Sequence, residues 1–366
     1  MIVKATDLQR AHKLAASTGS RFIRWHTPDN ATLVLRGMGP YFSGEAELPA
    51  DEIGDPLNVA APTALVNAWL NGINSDIAVE FDPAEKVMNL GTARSGIEVA
   101  VATHGEELSA LDNLTLPRET LNVIGIGDEL WGAIADVSWA SALGLKSNNV
   151  PAYEAVHVSY GKVWATNRSQ GAWIDMDLPE GHFPMIPAAI SSLGSAVSME
   201  TAIVAIDGTN RLRVRDDWFD LAAPLVAGDP LPDHMSHAAI LASRDHGATI
   251  TCSSKEVTDA LARLDRVDAD ELSSRAGMHG RVEMSSDGDG RLLLAVRVKD
   301  RKAVETIDAE CDELRFIMPM GKLKAMLAFL ATDELTIHHH GGAINKPLVI
   351  DAGRRHAMMM PVAGKL

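Results

Sequence analysis

The sequence predicts an α+β chain of three tandem domains, each built from two βαβββ units. Three observations predict it. A proline that opens an amphipathic helix directly after a strand recurs at Pro62, Pro187 and Pro319, at spacings of 125 and 132 residues. A second helix start recurs at Asp7, Asp128 and Lys255, at spacings of 121 and 127 residues. The two series alternate, and 366 residues exceed one core but suit three domains of ordinary size. The domains run 1–115, 116–237 and 238–366. Short linkers join them at 113–119, with Pro117, and at 229–236, with Pro230 and Pro232. One helix cannot cover a four-stranded sheet, so two units pair, with both helices on one side of the combined sheets.

Domain one starts with a strand over 2–5 and a helix from Asp7, capped by Thr6/Asp7. Its Leu8, Ala11, Leu14 and Ala15 share a face. Strands follow at 31–36, 42–48 and 57–61. Pro62 then opens a helix reaching Ile73, with Leu65, Val66, Trp69 and Ile73 as its apolar positions. Strands at 76–81, 86–92 and 96–103 complete the domain. Domain two repeats this with a strand at 121–126 and a helix from Asp128 that buries Leu130, Ile134 and Val137. Strands at 153–160, 162–167, 173–178 and 182–186 precede a helix from Pro187, with Ile190, Leu193 and Val197 apolar. Strands at 201–206, 211–215 and 218–221 close it, with Asp207-Gly208 as a hairpin turn.

Domain three has a strand at 249–253, a cap at Ser254 and a helix to Leu264 that buries Val257, Ala260, Leu261 and Leu264. A charged loop fills 265–275, and strands follow at 280–285, 291–298, 305–310 and 312–317. The helix from Pro319 to Ala331 turns Leu323, Met326, Leu327 and Leu330 inward. Lys322, Ala325, Phe329 and Thr332 lie on another face, flanked by Lys324. Strands at 334–341, 346–352 and 356–362 end the chain, divided by Gly341-Gly342 and Gly353-Arg354.

A net charge of −16 excludes a general nucleic-acid coat, which would be basic throughout. It leaves room for DNA contact through one restricted surface, so charge has to be read by position. Basic residues fall on helices of domains one and three: Arg10 and Lys13, with Arg21 and Arg24 in the loop after them, then Lys255, Arg263 and Arg266, then Lys322 and Lys324. The helix after Pro62 carries neutral Thr63, Asn67, Asn71 and Asn74, and the helix after Pro187 carries Ser191, Ser192 and Ser195. The helix from Asp128 carries the acidic stripe Glu129, Ala133 and Asp136. Singly these are ordinary solvated faces. As a set on equivalent helices, the basic ones outline one surface. No apolar run approaches 18 residues and no signal peptide is evident, so a cytoplasmic protein without a membrane partner is expected. Two cysteines make no disulfide framework; Cys252 in a strand and Cys311 at a strand end read as buried thiols.

Sequence motifs for catalysis are missing. There is no GxxxxGK[ST], strand-coupled GxGxxG, CxxC or HExxH, so neither an enzyme nor a cofactor is expected. His338, His339 and His340 form the most tempting cluster. His338 and His340 would share one strand face and, with His356 or Asp351, could hold a metal for a hydrolase. A partly exposed strand that tolerates histidine is the preferred reading, with no metal. Met358, Met359 and Met360 read as adaptable apolar surface instead of metal ligands.

Four segments, in order, resemble the bacterial sliding clamps, the beta subunits of DNA polymerase III. They are FSGEAELPADEIGDPLNVAAPTALVNAWL, VWATNRSQGAWIDMDL, MPMGKLKAMLAFLATDELTI and KPLVIDAGRRHAMMMPV. The resemblance implies a head-to-tail homodimer that closes a ring, with helices lining the hole and sheets outside. Such a ring encircles double-stranded DNA without reading its sequence and performs no chemistry. It tethers DNA polymerase, the clamp loader and other proteins carrying a clamp-binding motif through a hydrophobic groove between domains two and three. By position, Thr166, Gly171, Pro232, Met358, Met360, Pro361 and Val362 match that groove, and the resemblance makes the basic set Arg10, Lys13, Arg21, Arg24, Lys255, Arg263, Lys322 and Lys324 the expected DNA-binding residues. Two departures mark a divergent member. Arg168-Ser169-Gln170-Gly171 replaces the family's Gly-His-Arg-Leu, and Ala363-Gly364-Lys365-Leu366 extends the usual terminus.

Dimerisation is expected at the edge strand bearing Ile97, Val99 and Val101, with its partner near Val267, Arg266 and Asp268 of domain three. Alternation leaves a plain alternative, in which Ile97 and Val99 are core positions. A second functional reading is a clamp-like peptide-binding scaffold or decoy that does not encircle DNA. The weak basic lining of domain two motivates it.

Overall fold

The structure, a computed structural model, describes residues 1–40, 42–105, 108–109, 111, 122–141, 150–159, 161–178, 185–188, 200–209, 211–226, 248–269, 280–298, 301–311, 313–341, 343 and 346–362. Several sequence expectations lie outside these residues: the helix after Pro187, the strand at 182–184, both linkers with Pro232, the loop at 270–275 and the last four residues. The chain divides into two compact units, Met1–Ala135 with Ala189–Leu225, and Asp136–Ala188 with Val226–Leu366.

In the first unit, the helix Ala5–Ser17 buries Leu8, Ala11, Leu14 and Ala15 completely, as the apolar spacing requires. Its N-cap position is Lys4, with no side-chain cap; Thr6 and Asp7 lie inside the first turn, which displaces the expected cap. The second helix, Thr63–Leu70, is shorter than its apolar pattern suggests. Asn71 leaves the helix in extended backbone and Gly72 follows at φ +90°, so Ile73 falls outside the helical register. Val66 and Leu70 face inward, whereas Leu65 is 45% exposed. Gln9 spans the two helices. Its Nε2 donates to the carbonyls of Leu70 and Ile73, both at 2.7 Å, tying the first helix to the end of the second and the turn after it.

Two antiparallel sheets complete this unit. The four-stranded one runs Ile2–Val3, Ile77–Asp82, Val87–Gly91, Gly96–Ala100, with the last strand at its edge. The eight-stranded one runs Asn58–Pro62, Phe22–His26, Thr32–Met38, Ser43–Pro49, Phe219–Pro224, Arg211–Asp216, Ile203–Ile206, Asn122–Ile126. Phe22–His26 is a correction: read as loop in the sequence, it is a central strand with partners on both sides. Midway across the sheet, Ser43–Pro49 joins Phe219–Pro224 with Gly44 opposite Leu221. A Cβ at position 44 would stand 2.3 Å from Leu221 Cδ2, so any larger residue at this seam would force the leucine side chain to shift. Nearby, the fully buried Arg213 donates through Nε to Asp220 (2.9 Å) and through Nη1 to Asp207 (3.3 Å). Burial alone would raise the Asp207 carboxyl, but the Thr209 hydroxyl, backbone N–H groups and Arg211 hold it well below the ordinary range.

The division between the units falls inside the helix Gly127–Val137. Leu130, Ile134 and Val137 are buried as expected. Ala133, placed on the solvent stripe from sequence, is buried as well.

The second unit holds a twelve-stranded sheet in the order Ile186–Pro187, Ala155–Ser159, Lys162–Thr166, Gln170–Asp175, Arg355–Met359, Leu348–Ala352, Glu334–His339, Ala248–Ser253, Arg301–Cys311, Arg291–Val298, Arg281–Ser286, Arg315–Pro319. Arg301–Cys311 is bent between two partners. Residues 301–308 pair with Arg291–Val298, and 309–311 pair with Ala248–Ser253. The helix Ser254–Ala269 continues past Leu264, so Asp265, Arg266 and Val267 are helical where a loop was expected. The helix Met320–Leu330 buries Leu323, Met326, Leu327 and Leu330, and also Phe329, which was expected on another face. Phe329 meets Trp139 at 6.0 Å between ring centroids and lies under the Arg355 guanidinium at 5.4 Å.

Candidate functional site

Strand register builds one apolar face in the second unit. Thr166 pairs with Gly171, Gly171 with Met358, Trp164 with Trp173, and Trp173 with His356. Because side chains alternate along a strand, these residues share a face. Trp164, Trp173 and Met358 belong to a buried cluster with Ala152, Tyr153, Ala155, Met185 and Val349. A Cβ at Gly171 would stand 3.1 Å from Met358 Cγ, so glycine lets the methionine lie flat across the seam.

The 167–169 turn closes one end of this face. Thr166 is buried, and its hydroxyl donates to the Gln170 carbonyl at 2.7 Å. Asn167 Oδ1 accepts from Ser169 N, Ser169 Oγ and Gln170 N at 3.0–3.2 Å. Arg168 sits at φ +76°, a left-handed conformation that costs a non-glycine residue about 1 kcal/mol. Its Nε donates to the Tyr153 hydroxyl at 3.0 Å, with the guanidinium 5.1 Å from the ring centroid. Met360 N donates to the Ser169 carbonyl at 2.8 Å, and Lys322 Nζ donates to Ser169 Oγ at 3.1 Å. Met360 is half-buried, Pro361 buried, and Val362 half-buried with its N–H on the Ile317 carbonyl at 2.9 Å. Thr166, Gly171, Met358 and Met360 therefore converge on this turn, while Pro232 lies outside the described residues. Sequence reasoning missed Tyr153, Trp164 and Trp173; a single tryptophan inside each of two neighbouring strands was the available signal.

A polar chain runs alongside. His338 Nε2 and His356 Nδ1 contact the two oxygens of Asp351 at 3.0 and 2.7 Å, and His356 Nε2 lies 3.3 Å from Asp175. Trp173 stacks on His356 at 5.2 Å. Burial pushes the Asp175 carboxyl up, but Lys162 at 2.5 Å and His356 outweigh it and leave it below its usual value. His340 lies just beyond the end of its strand. Among the described residues, no three of His, Cys, Asp and Glu gather to hold a metal ion.

The basic residues occupy several different settings. Arg10 and Arg21 are exposed, and Arg10 lies over the Trp218 ring at 3.4 Å. Lys13 is exposed on the same helix. Arg24 is a correction: it lies in a central strand, 8% exposed, with Nε on Asn58 at 2.9 Å, and presents no surface charge. Lys255 pairs with Asp259 at 2.6 Å, Arg263 makes two bonds to Glu305 at 3.0 and 2.8 Å, and Lys324 pairs with Asp265 at 2.8 Å. Lys322 leans to Ser169, where it is half-buried.

The dimer residues also separate. Gly96–Ala100 is an edge strand, but Val99 is fully buried, which assigns it to the core; Ile97 is half-buried. Val267 is 40% exposed, on the helix, and Val304 of the strand Arg301–Cys311 is 51% exposed. The side chain of Asp268 lies outside the described residues. No described helix is long and apolar enough to cross a membrane.

No model of a known protein family matches the sequence, and no curated protein matches it. Solved structures do match the fold. The DNA polymerase III beta subunit of Thermotoga maritima superposes with a TM-score of 0.78 at 12% identity, over 100% of this chain and 99% of that one. The DNA polymerase sliding clamp of Bacillus subtilis gives 0.79 at 16% identity, and that of Pseudomonas aeruginosa 0.78 at 14%, each over 100% of this chain and 99% of the other. The fold is that of these sliding clamps.

Proposed function

We propose that this chain is a DNA polymerase processivity factor of three domains, a cytoplasmic homodimer that encircles duplex DNA and catalyses no reaction. The fold supports this reading, and one observation carries it. Each compact unit contains one seam of the same kind, an antiparallel junction between strands that end βαβββ units three apart along the chain. These seams are Ser43–Pro49 with Phe219–Pro224, and Gln170–Asp175 with Arg355–Met359. Among the described residues, two strands of the same types are left without such a partner: Gly96–Ala100 in the first unit and residues 301–308 in the second. Exposed edges invite pairing, and a second copy placed head to tail satisfies both edges of both chains at once. Ile97, Val304 and Val267 are the apolar residues at hand for that contact.

The helices of such a ring meet DNA through phosphate contacts, which fix position without reading sequence. Polymerase, clamp loader and other partners dock on the apolar face around Thr166, Gly171, Met358 and Met360. Two measurements test the proposal. Light scattering at micromolar concentration reads a dimer. After loading on nicked circular DNA, the protein stays on circles and leaves on linearisation. A persistent monomer, or equal retention on both DNA forms, refutes it.

A second reading, a peptide-binding scaffold that does not enclose DNA, is favoured by the ion pairs that already occupy Lys255, Arg263 and Lys324. Loss of circle retention with peptide binding intact would select it.

A further inference from the structure

We propose that Asn71-Gly72 is a deamidation site, at which Asn71 converts to aspartate and isoaspartate, and that Gln9 restrains the conversion by holding the turn there closed.

Sequence and exposure mark the site. Asn71 is followed by glycine, and no other asparagine in the chain is. Both residues are exposed. Among the described residues, neither the Asn71 side-chain amide nor the Gly72 N–H has a hydrogen-bond partner. A Cβ added at Gly72 would meet nothing within 4 Å, so the peptide has room to rotate. A glycine nitrogen is also the least hindered attacker, because its residue carries no Cβ.

The reaction needs only water. The Gly72 nitrogen forms a bond to Asn71 Cγ and gives its proton to solvent, while the side-chain nitrogen leaves as ammonia. The cyclic imide then takes up one water. Opening at the side-chain carbonyl gives aspartate. Opening at the backbone carbonyl gives isoaspartate, whose chain runs through Cβ and Cγ and is one atom longer.

The local geometry supplies the restraint. Leu70–Ile73 is a type II turn, with Asn71 at φ −65° and ψ 115° and Gly72 at φ +90°. The Ile73 N–H closes it on the Leu70 carbonyl at 3.2 Å. The imide ring forms only when Asn71 Cβ and Gly72 N stand on the same side of the Cα–C bond. In an L residue this ψ sets them apart, so the turn has to open first. Gln9 opposes that opening, since its Nε2 holds the Leu70 and Ile73 carbonyls, one at each end of the turn. The rate at Asn71 therefore follows a local opening equilibrium.

Conversion also acts back on the fold. The new carboxylate arrives at the C-cap of Thr63–Leu70, a helix without charged residues, where the negative end of the helix dipole disfavours it. Isoaspartate lengthens the chain between the two carbonyls that Gln9 spans, so the tie between the helices is lost.

Peptide mapping by mass spectrometry, on the whole protein aged in warm, mildly alkaline buffer, tests this. The peptide holding Asn71 is expected to gain one dalton, and to separate into aspartate and isoaspartate forms, before any other asparagine converts. Gln9→Ala raises that rate about tenfold, the factor set by losing two hydrogen bonds that hold the turn closed. The melting temperature of the parent falls during the incubation, whereas that of Asn71→Gln, whose side chain would have to close a larger ring, stays constant. Conversion at Asn71 no faster than at the other asparagines overturns the site. Equal rates at Asn71 in the parent and in Gln9→Ala overturn the restraint. A rise at every asparagine of Gln9→Ala marks general unfolding and overturns the restraint as well.

Discussion

Acidification will loosen the first domain through one side chain, His12. It sits on the buried face of the helix Ala5–Ser17, 1% exposed, and neither ring nitrogen has a hydrogen-bond partner among the described residues. The nearest aromatic, Trp25, lies 6.2 Å away and leaves its own Nε1 unpaired. Burial lowers the His12 pKa from 6.5 to about 4. A group with a depressed folded-state pKa binds its proton more readily when unfolded, so stability falls as pH drops below the unfolded value. The loss begins near pH 6.5, grows by about 1.4 kcal/mol per pH unit, and levels off below pH 4 at a total of about 3 kcal/mol. Calorimetry of the parent and of His12→Leu at pH 7.5, 6.5, 5.5 and 4.5 isolates this term, because every other titrating group is common to both. The two proteins should diverge in the pH dependence of their melting temperature, with the parent falling faster. Parallel curves, or a His12 ring resonance titrating near pH 6.5, would refute the reasoning.

Three further outcomes are expected. Val304→Lys on the exposed strand edge, combined with Ile97→Lys, shifts sedimentation from dimer to monomer by more than about tenfold in Kd, since like charges would face one another across a paired edge. Arg213→Met removes the cation that Asp207 and Asp220 share while each keeps a second arginine, Arg211 and Arg215, and costs about 1–3 kcal/mol in urea unfolding. Ala331→Gly stabilises by about 0.5–1 kcal/mol, read as a raised melting temperature, because Ala331 ends its helix at φ +46° and is exposed.

The repeat was legible because its signals are local. Leu8, Ala11, Leu14 and Ala15 encode one buried stripe without help from the rest of the chain, and Pro319 marks a helix start on its own. What failed depends on partners distant in sequence. Phe22–His26 reads as loop because Arg21 and Arg24 suggest solvent, yet Asn58 takes up Arg24 from the neighbouring strand. The helix past Leu264 reads as loop because Asp265, Val267 and Asp268 are weak helix formers, yet Lys324, distant in sequence, pairs with Asp265 where the helix runs on. Val99 was set at a dimer contact because its strand lies at a sheet edge, and Ala133 was set outward by helical periodicity; neither signal registers what packs above the residue. For the candidate site, Thr166, Gly171, Met358 and Met360 could be placed by resemblance. Lys322 could not: its helical position puts it among the basic stripe, and only the fold brings Ser169 within 3.1 Å of its Nζ.

The ion pairs on the Ser254–Ala269 helix bear on friction. A polyanion drawn toward Lys255, Arg263 or Lys324 has to displace a carboxylate already seated 2.6–3.0 Å away. Each attachment is an exchange between two anions for one cation, with little net gain and a low barrier to reversal. Under the proposed function, a surface built this way would act as a bearing, letting its load creep past while holding it at no single place.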